Sequence, residues 1–141
     1  MKWLNMLLFP GLLEESKNEA LTGSIMVILK SALLTLGLGP TILIVAVLVP
    51  AYEEFLFRGI FLDSAARYFP FWLVNGLQSF AFAAIHDEFR LFPSFFVMGI
   101  TLGWLARKTG SLFLPILVHS ANNFLAITTI WHLLRKSGQL Y

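Results

Sequence analysis

The sequence predicts an all-α protein, a polytopic membrane helix bundle of four to five transmembrane helices. Three observations lead there. The chain is 57% hydrophobic and only 13% charged, with mean hydropathy +0.77, whereas soluble domains carry about 25% charged residues. Its apolar residues fall in long segments, too long and too continuous for strands, and lipid admits only helices and closed barrels. Finally, residues 41–62 hold Glu53, Glu54 and Arg58 inside an otherwise apolar run. A charge at bilayer depth costs at least ~2.5–3.5 kcal/mol on insertion scales, so such residues mark a functional bundle interior.

Residues 1–23 are expected to form a polar or interfacial N-terminal segment. Glu14, Glu15, Lys17 and Glu19 make a polar patch, and Trp3 with its apolar neighbours suits the interface plane. The short apolar stretch at the start has no small-x-small cleavage site, so no cleaved signal peptide is expected. The membrane-embedded core is expected over 24–136, with a short tail at 137–141. Its first segment, 24–38, is interrupted by Lys30 and ends at Gly37-Leu38-Gly39-Pro40. The second, 40–62, holds the acid pair. Pro40 suits a first helical position, and Pro50 removes a backbone donor and should bend the helix three residues before Glu53. A polar connection at 63–70 leads to the third segment, 71–86, and to the loop Asp87-Glu88-Phe89-Arg90. The fourth segment, 93–105, meets a Gly stop signal at Gly110. The fifth, 112–134, is closed by Arg135 and Lys136. A span needs about 20 apolar residues, so four or five spans is the ceiling for this chain. If all five cross, Lys2, Lys17, Lys30, Arg67, Arg107 and Lys108 share one side against Arg90, Arg135 and Lys136. That asymmetry favours a cytoplasmic N-terminus.

Composition also excludes. A net charge of +2, with no Gly-rich phosphate loop and no Lys/Arg block, gives no reason to expect a nucleic-acid partner. The absence of Cys removes disulfides, thiolate nucleophiles and Cys-based zinc sites together.

The polar residues of the apolar segments carry the chemistry. Glu54 and Arg58 are four apart and share a helix face, in the favourable order of acid before base. Glu53 points about 100° away and must find a partner on another segment or stay protonated. Phe82 and His86 share a face of the third segment, and His119 and Asn123 share one in the fifth. Each of these has a bland reading as a structural ion pair, a helix cap or an interhelical hydrogen bond, the last worth ~0.6 kcal/mol on average in a membrane. Asn75, Gln78 and Asn122 read as packing or interhelical bonding, and His132 as surface. Together, however, three helices project disfavoured polar groups, which points to one buried site. A carboxylate and an imidazole can take a proton from water, and an imidazole and an amide can donate to a developing oxyanion. No G-x-S-x-G and no H-E-x-x-H is present. His86, His119 and a Glu supply three possible N/O ligands for zinc, so a zinc-dependent mechanism stays open.

Glu53-Glu54-x-x-x-Arg58, Phe82-x-x-x-His86 and His119-x-x-x-Asn123, in this order, resemble the three motifs of the CAAX protease and bacteriocin-processing (Abi) family, which includes the type II CAAX prenyl endopeptidases. The flanking Glu53-Glu54-Phe-Leu-Phe-Arg58-Gly-Ile and the run from Thr109 to Asn123 agree, and the resemblance covers roughly residues 40–130. It implies an intramembrane endopeptidase of the glutamate type in a multi-pass chain of a prokaryotic cell (inner) membrane. By that resemblance Glu53 with His86 activates water, His119 with Asn123 binds the oxyanion, and Glu54 and Arg58 support the site. The expected cofactor is none, with zinc as the alternative. The expected partners are the lipid bilayer and a peptide or protein substrate, lipid-modified in the eukaryotic members. The chain is short for that family, which leaves a homo-oligomer or a partial chain open. The competing readings are a non-catalytic membrane immunity or scaffold protein and a small transporter, for which no inverted repeat is visible.

Overall fold

A computed structural model describes residues 24–139. The expected N-terminal segment 1–23, with Trp3 and its acidic patch, and the last two residues of the tail lie outside the described residues. Every regular element within them is helical. α1 is Ser24–Leu36 and stops where Gly37 takes φ +80°, a conformation that glycine adopts without steric cost. α2 is Leu38–Ala65, α3 Phe71–Ala84, α4 Phe92–Thr109 and α5 Phe113–Lys136.

α2 is continuous for 28 residues but changes register along its length. π-helical stretches at Ile42–Leu48 and Phe55–Leu62 flank an α-helical turn, Val49–Glu54. The Val49 N–H reaches back five residues to the Ile44 carbonyl. The next donor in that register belongs to position 50, a proline with no N–H. The helix thus absorbs Pro50 by widening, and the Val45 carbonyl receives no donor from there. Asn123 supplies one instead, its Nδ2–H donating to Val45 O at 2.9 Å. Such π segments frequently accompany functional sites.

α3 ends at Ala84, two residues short of the expected boundary, because Asp87 adopts φ +48° and turns the chain just after His86. α4 runs four residues past its expected end, to Thr109, and is closed by Gly110 at φ +62°, whose N–H donates to Ala106 O at 2.9 Å.

Among the described residues two helices, α2 and α5, are long and apolar enough to cross a membrane, where the sequence predicted four to five. The difference is one of length and dilution. α1 and α3 have 13 and 14 residues, or about 20 Å at 1.5 Å per residue against a hydrocarbon core of about 30 Å. α4 has 18 residues, but Arg107 and Lys108 close it. Only 22% of the apolar window of either long helix is buried. Apolar side chains such as Leu43, Val47, Phe124 and Leu125 face outward, which is the reverse of a soluble core helix.

Two packing centres hold the bundle. Leu29 and Leu33 of α1, Ala46 of α2, and Ile127, Ile130 and Leu134 of α5 form an apolar cluster. Lys30, which interrupts the first apolar segment, turns its Nζ to Gln139 Oε1 at 2.6 Å. The second centre joins α3 to α4 and is polar. Gln78 Nε2–H donates to Asn75 Oδ1 at 2.8 Å and to the Gly99 carbonyl at 3.1 Å, and Asn75 Nδ2–H donates to Ile100 O at 3.1 Å. The approach depends on glycine: a Cβ on Gly99 would lie 2.8 Å from Ser79 Cβ and 2.9 Å from its Cα. Gly99→Ala is therefore expected to destabilise the fold by roughly 1–3 kcal/mol through overpacking. Thermal unfolding in detergent measures this, and an unchanged transition would show that the helices separate freely.

Candidate active site

α2 and α5 bring the charged residues together. Arg58 Nη1–H donates to Glu54 Oε1 at 2.9 Å, with both side chains 0% exposed. The same Oε1 lies 2.8 Å from His119 Nδ1. A carboxylate oxygen only accepts, so Nδ1 carries the proton and donates it. One buried oxygen thus binds a guanidinium and an imidazole from different helices. The second guanidinium nitrogen, Nη2, donates to Gly99 O at 3.3 Å, and the Arg58 Cζ lies 4.6 Å from the centre of the Phe82 ring. Arg58 thereby links α2 to both α3 and α4.

Glu53 occupies a different environment, as its offset on the helix requires. Its side chain is 17% exposed, and its Oε2 lies 3.6 Å from His119 Nε2, beyond hydrogen-bond length. That Oε2 is buried and has no hydrogen-bond partner. His119 is therefore oriented by Glu54 at one nitrogen and faces Glu53 with the other. Asn123 lies one turn further along α5, with its amide on Val45 O.

His86 is reached across Phe82. Phe82 is fully buried, and its ring centre is 4.7 Å from His86 and 5.6 Å from His119. The His86 Nδ1–H donates to Phe82 O at 2.7 Å, which leaves Nε2 as the nitrogen with a lone pair. Phe95 stacks on the imidazole at 4.0 Å between centres. Among the described residues His86 and Glu53 share no ion pair. Glu53, Glu54, Arg58 and His119 thus form one cluster, with His86 and Asn123 at its margins.

Sequence reasoning paired Glu54 with Arg58 but missed His119 as their third member, and it missed the Gly99 carbonyl as the second anchor of Arg58. Gly99 and Gly103, four apart, are a small-xxx-small signal that marks close helix approach. Each imidazole has its Nδ1 held by a backbone or carboxylate oxygen, an arrangement also seen around zinc-bound histidines. Among the described residues, however, no three His, Asp or Glu side chains gather where they could hold a metal ion.

Outward-facing apolar helices around a buried carboxylate–imidazole–guanidinium cluster define a helical, membrane-type protein with a polar interior site. The chain belongs to the type II CAAX prenyl endopeptidase Rce1-like family, whose model matches residues 35–125 and so spans all six residues of the site. That is a family of membrane-associated proteases. An uncharacterized 24.3 kDa protein of Escherichia coli is 33% identical over 84 residues, which are 56% of this chain and 39% of that protein. The chain therefore spans well under half the length of this curated relative. No solved structure matches.

Proposed function

We propose that the chain is a glutamate-type intramembrane endopeptidase that hydrolyses a peptide bond without a metal. The observation that carries this is the position of His119, oriented by Glu54 at 2.8 Å and facing the unpartnered Oε2 of Glu53 at 3.6 Å. In this reading Glu53 takes the proton of a water that His86 Nε2 helps to orient. The hydroxide attacks the scissile carbonyl, and the oxyanion accepts hydrogen bonds from His119 Nε2–H and Asn123 Nδ2–H. The proton held by Glu53 then goes to the leaving amine. Because the Nδ1 proton of His119 is given to Glu54, Nε2 can donate only when the ring is an imidazolium. Two carboxylates, one guanidinium and one imidazolium then balance in charge. Asn123 holds Val45 O with one amide proton and keeps the other for the oxyanion.

The reading extends to a multi-pass protein of a prokaryotic inner membrane, in which α1, α3 and α4 complete four to five spans where the bilayer thins to match the shorter helices. The core is 24–136, and its partners are the bilayer and a peptide or protein substrate, with a lipid-modified one and a homo-oligomer as further options. A zinc-dependent protease is the second reading, favoured by the held Nδ1 atoms of both histidines.

The test is cleavage of a peptide library by the purified full chain in detergent, read by mass spectrometry before and after a strong chelator. Cleavage that survives chelation, with less than one zinc per chain by elemental analysis, is the expected result. One tightly bound zinc per chain, with activity lost on removal and restored on addition, would establish the zinc mechanism instead. Absence of any cleavage would favour an immunity or scaffold protein.

Asn123→Ala should lower turnover on the order of 10²–10³-fold, as for oxyanion donors elsewhere, with a much smaller change in substrate binding. It should also cost about 1–3 kcal/mol of stability, since Val45 O loses its donor. A variant that loses binding but keeps its turnover would move Asn123 to substrate contact.

A further inference from the structure

A cavity of about 390 Å³ opens where α2 and α4 end and α3 and α5 begin. That is within the roughly 300–1,000 Å³ of ligand pockets. Its lining includes Arg58, Asp63, Phe71, Arg107 and Ser111. We propose that this cavity binds the phosphate of an anionic lipid headgroup.

The charge at this end is positive once pairs are removed. Asp63 is taken by Arg67 at 2.7 Å, and Glu54 by Arg58 at 2.9 Å. Arg107 and Lys108 have no carboxylate partner among the described residues. Each lies over an aromatic ring at 4.6 Å, Arg107 on Phe71 and Lys108 on Trp104. The Phe71 contact holds the Arg107 guanidinium at the cavity wall. Arg58 lies behind the cavity wall with its side chain wholly buried, which leaves Arg107 as the cation presented to an occupant. The first turn of α5 begins at this cavity, with Ser111 Oγ accepting the Phe113 N–H at 3.1 Å, and a helix N-terminus favours an anion there.

The surroundings select a lipid over a soluble anion. Tyr68, Trp72 and Phe113 are 83%, 73% and 73% exposed beside the cavity, and exposed aromatics with flanking cations are the composition of a membrane interface. A phosphate seated in the cavity leaves its acyl chains along the outward apolar residues of α2 and α3, such as Phe61 and Leu77. Basic pockets between helices on the cytoplasmic side hold anionic headgroups by the same physics.

The proposal rests on the bilayer part of the functional reading and not on hydrolysis, so Glu53→Gln protein should bind identically. The test is thermal unfolding of the full chain in detergent with added phosphatidylglycerol, phosphatidylcholine or inorganic phosphate. Phosphatidylglycerol should raise the transition by several degrees more than phosphatidylcholine. Arg107→Ala should lose that increment relative to its own lipid-free transition, Arg107→Lys should keep part of it, and Arg135→Ala at the far end of α5 should keep it all. Equal shifts with both lipids, or a full increment in Arg107→Ala, would overturn the proposal. The same Arg107-dependent shift with inorganic phosphate alone would assign the cavity to free phosphate and overturn the lipid occupant.

Discussion

Glu53→Gln is expected to abolish peptide hydrolysis while leaving the fold intact. The proposed general base contributes about 10²–10⁴-fold, and an amide cannot hold the proton that hydrolysis moves. Stability should scarcely change, because the Glu53 side chain is partly exposed and its Oε2 makes no hydrogen bond that the substitution would break. Among the described residues its ion-pair partner, His119 Nε2, is 3.6 Å away. Cleavage rates and thermal unfolding measured on one preparation separate the two effects. Full activity in Glu53→Gln would end its assignment as the base, and loss of folding would show that the carboxylate is structural.

Glu54→Gln should do the opposite in kind: it should damage stability first. Glu54 Oε1 is the shared acceptor for Arg58 at 2.9 Å and His119 at 2.8 Å. Without the carboxylate, a guanidinium with a fully buried side chain loses its counter-charge. Breaking a buried pair from one side costs about 3–5 kcal/mol. Activity should fall with it, since nothing then fixes the His119 ring. The double variant Glu54→Leu with Arg58→Met removes both charges, and well-packed apolar replacements of buried pairs are often neutral in stability. It should therefore refold while remaining inactive. An active double variant would show that the pair only holds the bundle together, and a single variant as stable as the parent would show that water compensates Arg58.

Much of this architecture is legible in the sequence because it depends on local periodicity and composition. The boundaries of α1, α2 and α5 fall within a few residues of expectation, since Gly37 and Lys136 act on their own turns of chain, although Pro40 is the third residue of α2 and not the first. The Glu54–Arg58 pair is legible for the same reason: four residues on one helix is a local distance. The ends of α3 and α4 are less so. Asp87 at φ +48° shortens α3, and α4 continues through Arg107 and Lys108 because charged residues are tolerated in the last turn of a helix, where the macrodipole favours cations.

The sequence by itself determined that the chain is helical, that its helices turn apolar sides outward, and that acids, imidazoles and an amide interrupt them at family-like spacing. Only the tertiary structure decided which of those groups meet. His119 joins Glu54 across a separation of 65 residues, and Asn123 finds Val45 O across 78 because a proline withholds the helix's own donor. Gly99 offers its carbonyl to Arg58 because the absence of a Cβ lets α4 approach α3. Pairings of this kind depend on how helices dock, and docking depends on side-chain volume and backbone register summed over the whole bundle, which no single stretch of sequence contains.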